Sequence, residues 1–186
     1  MGEKKEREGL MFLEEIVRKR RSIRKYKEEA LSQDQVNLIC QAALEAPSAN
    51  NKKPVELLLI QNRQDIEKIA SVKENSPNFY ANVPLCILVL VDKELAGLTY
   101  MQDASIAAAY IQAQVADMGL GSCWINLLGR KHPDGREASQ VLREWFAIPE
   151  KYFINCVIPI GYPNEIPSPR KKEEIRKRIH LGAFKK

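Results

Sequence analysis

Residues 83–91 read Val-Pro-Leu-Cys-Ile-Leu-Val-Leu-Val, an apolar run closed by Asp92. It is far too short to cross a bilayer, for which a helix needs roughly 20 apolar residues. It is also too apolar for a strand with one wet face, so it reads as a strand buried on both sides. Such a strand must lie in a sheet covered above and below. Three of the strands read from this chain (candidates at residues 55–61, 83–91, 121–127 and 153–160) are nearly all apolar and make the same demand. Helical spacing recurs between them. Residues 11–20 place Phe12, Leu13, Ile16 and Val17 on one face. Ser32-Gln33-Asp34-Gln35 has the form of a capping box, opening a helix that Pro47 ends. A short helix is expected over residues 64–72 and another over 136–146. Thr99, with Gln102 at the capping-box position, should cap a long helix through Met118, and Gly119 should stop it. The interleaving is irregular, so this is one mixed domain of helices and strands, with helices over both faces of its sheet.

The charge is as uneven as the hydropathy. Seven of the ten residues from Arg18 to Lys27 are basic, and residues 170–178 hold six more against Glu173 and Glu174. The net charge is +5; these two segments supply +7 and +4, so the remainder sums to −6. Basic character this local points to particular anionic partners. Within the first segment, Arg20-Arg21-Ser22-Ile23-Arg24 offers three guanidinium groups and a hydroxyl, the donor set that suits a phosphate. No G-x-G-x-x-G turn or P-loop is present, so side chains and irregular loops must do the holding. Cys40, Cys86, Cys123 and Cys156 are widely spaced in apolar surroundings and read as buried thiols of a cytoplasmic protein. With His132 and His180 the only histidines, neither a zinc site nor a Ser/His or Cys/His pair is expected. The charged residues 1–9 carry no apolar leader, and residues 1–10 are expected to be flexible.

Four segments then stand in order: Arg20-Arg21-Ser22-Ile23-Arg24; Ala46-Pro47-Ser48-Ala49-Asn50-Asn51-Lys52-Lys53-Pro54; Gly119-Leu120-Gly121-Ser122-Cys123-Trp124-Ile125; and Gly161-Tyr162-Pro163 with Pro169-Arg170. Together, over about residues 12–184, they resemble the FMN-dependent nitroreductase family. The resemblance implies the α+β fold class, an α/β/α sandwich on a central mixed or antiparallel sheet. It also implies an intertwined homodimer with FMN in two interface sites, and a C-terminal arm over residues 163–186. By resemblance, Arg20, Arg21 and Ser22 contact the phosphate and ribityl chain, and Arg170 closes on the phosphate with Lys171 as a weaker candidate. Arg24 sits near flavin N1 and the C2 carbonyl, where a cation stabilises the negative charge that reduction develops. Pro47, Ser48 and Asn51 belong to the loop that reaches the partner's ring, and Asn126 and Leu127 fall near N5. The implied activity is ping-pong transfer of a hydride from NADH or NADPH through FMN to a nitroaromatic, quinone or other conjugated acceptor.

The chain departs from the family at Lys53-Pro54-Val55, where Gln-Pro-Trp is common, and at Asn126, where an acidic residue or Gly is common. The segment between Ser71 and Asn82 is short for a substrate lid, and Lys73, Asn75 and Asn78 are further ring-contact candidates. Trp124 and Trp145 read as core, His180 as a surface or packing residue, and Asp103 as a charge favoured by a helix N-terminus. Two other readings stand beside the reductase. One is a specialised family member: a dehalogenase, an enone or heterocycle dehydrogenase, or a flavin store. The other is a nucleic-acid-binding domain, which would interleave aromatics with its basic residues; only Tyr26 lies in either cluster.

Overall fold

The computed structural model describes residues 13–74, 80–168 and 178–184. Their order is α1 (Leu13–Lys19), α2 (Gln33–Glu45), β1 (Val55–Ile60), α3 (Arg63–Ser71), β2 (Leu85–Asp92), α4 (Lys93–Ala96), α5 (Tyr100–Asp117), β3 (Gly121–Ser122), β4 (Ile125–Asn126), α6 (Ala138–Trp145) and β5 (Tyr152–Gly161). The named strands pair only antiparallel, in the order β1-β2-β5-β3, with β4 also on β5. A parallel component enters as a single bridge between Ser22 and Ser122.

The apolar run behaves as its composition requires. Alternate residues of β2 face opposite ways: Leu85, Ile87, Val89 and Val91 join a core with α2 and α5, whereas Cys86, Leu88 and Leu90 join a second core with α3 and α6. Three layers result, helices on a sheet on helices, and Leu85 to Val89 are fully buried between them. On β5 the alternation slips at Asn155, because the register jumps from Val89↔Cys156 to Leu90↔Ile154 and leaves Asn155 as the extra residue of a bulge.

The capping box of α2 forms as expected, with Gln35 N–H donating to Ser32 Oγ (3.2 Å) and Ser32 N–H to Gln35 Oε1 (2.9 Å). Gly119, at φ +69°, ends α5, and Leu120 N–H returns to the Val115 carbonyl (2.9 Å). Four expectations need correction. Thr99 does not build a capping box; its hydroxyl donates toward the Ala96 carbonyl (3.2 Å) and the Asp103 carboxylate (3.1 Å). The strand expected over residues 121–127 is two short strands, because the stretch opposite it on β5 contains Pro159, which has no N–H to donate. The helix expected from Arg136 starts at Ala138, since Arg136 is drawn into ion pairs with Asp134 (2.6 Å) and Glu144. Of the C-terminal helix expected near 175–181, residues 175–177 lie outside the described residues, and 178–181 are not helical. Among the described residues no helix is long and apolar enough to cross a membrane.

Candidate functional site

The basic segment leaves α1 and runs along the β3 edge of the sheet. Ile23 N–H donates to the Ser122 carbonyl (3.0 Å), and Ile23 and Tyr26 are buried in the α3/α6 core. The Tyr26 hydroxyl donates to the Ile23 carbonyl (2.6 Å), and burial raises its pKa well above the ordinary phenol value. Two glycines make this approach possible. A Cβ on Gly121 would lie 2.7 Å from Ile23 Cγ2, and one on Gly161 would lie 2.8 Å from Pro84 Cδ and 3.1 Å from Tyr26 Cδ1. With Ile23 and Tyr26 pinned inward, the segment leaves its arginines on the outer side. Arg20 and Arg21 are half-buried and Arg24 is exposed.

The start of the C-terminal arm lies against the same segment. Lys27 N–H donates to the Tyr162 carbonyl (2.9 Å), Asn164 N–H to the Lys25 carbonyl (2.8 Å), and the Arg24 N–H to the Glu165 carboxylate. The Arg21 guanidinium donates to the Ser168 carbonyl, so the first described stretch of the arm ends in direct contact with the basic segment. Arg170 and Lys171 lie outside the described residues.

Around this edge the charges converge on Cys123. Burial pushes the Cys123 thiol up, while Arg24, a hydrogen bond with Ser22, Lys73 and Arg20 all act to favour its thiolate. Lys73 is held below its ordinary value by its own burial first and by Arg130 second. No carboxylate forms an ion pair with Arg24, Lys73 or Arg130 among the described residues. Arg20, Ser22, Arg24 and Lys73 therefore make one electropositive patch over a buried thiol, with the chemistry to hold a phosphate and an electron-rich ring edge. Among the described residues no group of His, Cys, Asp and Glu is arranged to hold a metal.

The other predicted residues sit elsewhere. Asn126 is exposed and donates its amide to the Leu128 carbonyl (3.0 Å); Leu127 is buried in the α3/α6 core. Pro47, Ser48 and Asn51 lie at the far end of the sheet, before β1. Ser48 Oγ accepts the Lys53 N–H (2.9 Å), and Asn50, Asn51 and Lys53 all take positive φ (51°, 55° and 52°). This loop is tied down by Asp103, whose buried carboxylate accepts the Ala49 N–H (2.9 Å) and the Thr99 hydroxyl (3.1 Å). Asp103 is thus a loop anchor as well as a first-turn acid of α5. A cleft of about 110 Å³ opens beneath the loop between α2 and α5, lined by Ala43, Pro47, Ser48, Lys53 and Asp103 among others. The 14 steps along α5 from Asp103 to its last residue, Asp117, span roughly 21 Å at helical rise, so within one chain the loop and the arginines stay apart.

From sequence alone, Lys73 is one of three further ring-contact candidates and Cys123 one of four buried thiols. The Gly121-Ser122-Cys123 order carried the missing signal: a side-chain-free position beside a buried one marks where a second segment approaches closely.

The model of the nitroreductase family matches residues 17–78 and 71–162. A protein of Methanothermobacter thermautotrophicus, named for NADH dehydrogenase/NAD(P)H nitroreductase, is 32% identical over 169 residues, which cover 90% of this chain and 85% of that protein. The structure of an FMN-dependent nitroreductase from Clostridium difficile is 35% identical with a TM-score of 0.85, covering 91% of this chain and 98% of its own. A Desulfovibrio desulfuricans nitroreductase solved in complex with FMN shares the fold at a TM-score of 0.75 and 23% identity, covering 92% and 97% of the two chains.

Proposed function

The chain belongs to the nitroreductase family, and from that premise we propose that it is an FMN-dependent NAD(P)H oxidoreductase. It would pass two electrons, by a ping-pong route, to a nitroaromatic, quinone or other conjugated acceptor. The observation that carries this reading is the convergence of Arg20, Ser22, Arg24 and Lys73 on one edge of the sheet, where among the described residues no carboxylate forms an ion pair with the Arg24 guanidinium or the Lys73 ammonium. That donor set fits FMN: a phosphate needs forked cationic donors, and a ring that gains negative charge needs a cation at its pyrimidine end. Bound FMN supplies hydride exchange at N5, chemistry that no side chain here has to perform.

The chain's own residues hold and shield. Arg20, Arg21 and Ser22 would bind the phosphate and ribityl chain, joined by Arg170, which follows the arm's contact at Ser168 by two residues. Arg24 and Lys73 would lie at the pyrimidine end. The lowered pKa of Lys73 reflects burial and the cation beside it, both of which an anionic ligand would relieve. Asn126 and the backbone of Leu127 would line the N5 side.

Pro47, Ser48 and Asn51 complete the site only if a second copy brings them. The distance between loop and arginines within one chain supports a homodimer in which each loop serves the partner's cofactor. Exposed apolar side chains support the same arrangement: Leu13 and Val17 on α1, Leu38 and Leu44 on α2, Ile106 and Tyr110 on α5. The test is anaerobic addition of NADH or NADPH to the FMN-loaded protein, followed near ~450 nm. Bleaching by either donor, with reoxidation by a quinone or nitroaromatic, is expected. Failure of both donors to bleach the flavin overturns the reading.

A further inference from the structure

One cation near the site is left without a task once FMN is assigned. Arg130 stands on a turn whose backbone is fixed on both sides: its N–H donates to the Leu127 carbonyl (3.0 Å), and its carbonyl accepts the Ala138 N–H (2.8 Å). Gly129, at φ +66°, makes the turn. The adjoining Lys131 carbonyl accepts the Glu74 N–H (3.0 Å), which ties this turn to the segment carrying Lys73. Arg130 is exposed, whereas Lys73 is half-buried. Arg130 acts on the half-buried Lys73, and Lys73 in turn on the buried Cys123 thiol, so exposure increases along the three from thiol to Arg130. Two like charges held together on pinned backbone raise each other's electrostatic energy, and an anion between them would lower it.

We infer that Arg130 is a specificity-determining residue, the anchor at the mouth of the site for the anionic group of a substrate that exchanges electrons there. This rests on the reductase reading above and adds the substrate class: molecules carrying a phosphate or carboxylate beyond the reacting ring. The phosphate of FMN does not compete for it, having Arg20 and Arg21. Two sources supply such a group, a nicotinamide donor bearing a 2′-phosphate and an aromatic acceptor bearing a carboxylate.

The experiment uses FMN-loaded wild type, Arg130→Gln and Arg130→Glu. For each, kcat/KM is measured for NADPH against NADH, and for 4-nitrobenzoate against its neutral analogue 4-nitrobenzamide. Binding of 4-nitrobenzoate and of adenosine 2′,5′-bisphosphate is measured by calorimetry, which needs no turnover. Loss of one charge-assisted contact should lower the charged-to-neutral ratio about tenfold or more in Arg130→Gln, and further in Arg130→Glu. A fall confined to NADPH over NADH assigns the donor's phosphate; one confined to nitrobenzoate over nitrobenzamide assigns the acceptor's carboxylate. Both ratios and both dissociation constants within twofold of wild type, in protein that holds FMN and turns over, overturn the inference and leave the reductase reading standing. Protein that is never reduced by either donor counts against that reading instead, and calorimetry still decides Arg130.

Discussion

Gly121→Ala isolates the contact on which the site is built. The added methyl would lie 2.7 Å from Ile23 Cγ2 and 2.8 Å from Ile23 Cβ and Cγ1, inside the stiff, branched part of the side chain. Ile23 is buried and cannot rotate away, so the basic segment must lift from β3. Overpacking of this kind costs about 1–3 kcal/mol, and stretching the Ile23–Ser122 hydrogen bond adds about 1 kcal/mol. A total near 2–4 kcal/mol should appear in urea unfolding of the apoprotein. Lifting the segment also moves Ser22 and its neighbouring arginines; loss of even one charge-assisted contact weakens FMN by roughly 10- to 150-fold. Flavin fluorescence titration measures that constant directly. Because the cause is steric, Ile23→Ala in the same chain should recover part of the loss, with a coupling of at least ~1 kcal/mol across the double-mutant cycle. If Gly121→Ala folds and binds FMN as the wild type does, or if the cycle is additive, the reasoning fails.

Three other outcomes follow from the same coordinates. Asp103→Ala strips the Ala49 N–H and the Thr99 hydroxyl of their acceptor and should cost about 1–3 kcal/mol in urea unfolding, whereas Asp103→Asn keeps one acceptor and should cost less than half as much; equal losses would contradict the anchoring role. Burial raises the Cys86 and Cys156 thiols, so above the ordinary thiol pKa the unfolded chain releases protons that the folded chain retains, and stability falls as pH rises. One pH unit above that value the two thiols together should remove roughly 3 kcal/mol, a loss absent in Cys86→Ala/Cys156→Ala; a flat stability between pH 7.5 and pH 9.5 (about one unit either side of the thiol range) would refute it. Leu88→Ala, in the middle of the fully buried strand, should cost about 2–5 kcal/mol by the same unfolding assay, and a loss under ~1 kcal/mol would show that β2 is not enclosed on both faces.

The layers were legible because burial on both faces leaves a compositional trace: the apolar run of β2 is buried from Leu85 to Val91. Local chemistry was legible where a motif is self-contained, as in the Ser32–Gln35 box and at Gly119. It failed where another group nearby in the chain competed for the same side chain. Thr99 offered a cap, but Asp103 and Ala96 took its hydroxyl. Arg136 continued a helical pattern, but Asp134 and Glu144 drew it outside the helix. The short α3 is legible as a helix over residues 64–72, but its Asn62 cap is not, and α4 behind its Asp92 cap is too brief to register as periodicity. For the site, the sequence supplied the arginine segment and the Pro47–Asn51 loop as separate motifs. That they lie at opposite ends of the sheet depends on how the chain folds back and leaves no trace in spacing.

The claim beneath all of this is that the basic segment following α1, with Arg170, holds a nucleotide phosphate. The direct measurement is the dissociation constant for FMN relative to riboflavin, which has the same ring and no phosphate, in wild type and in Arg20→Ala/Arg170→Ala. Wild type should prefer FMN by ~100-fold or more, and the double variant should lose most of that preference. Equal affinity of the wild type for the two flavins, or an undiminished preference in the variant, would contradict the account.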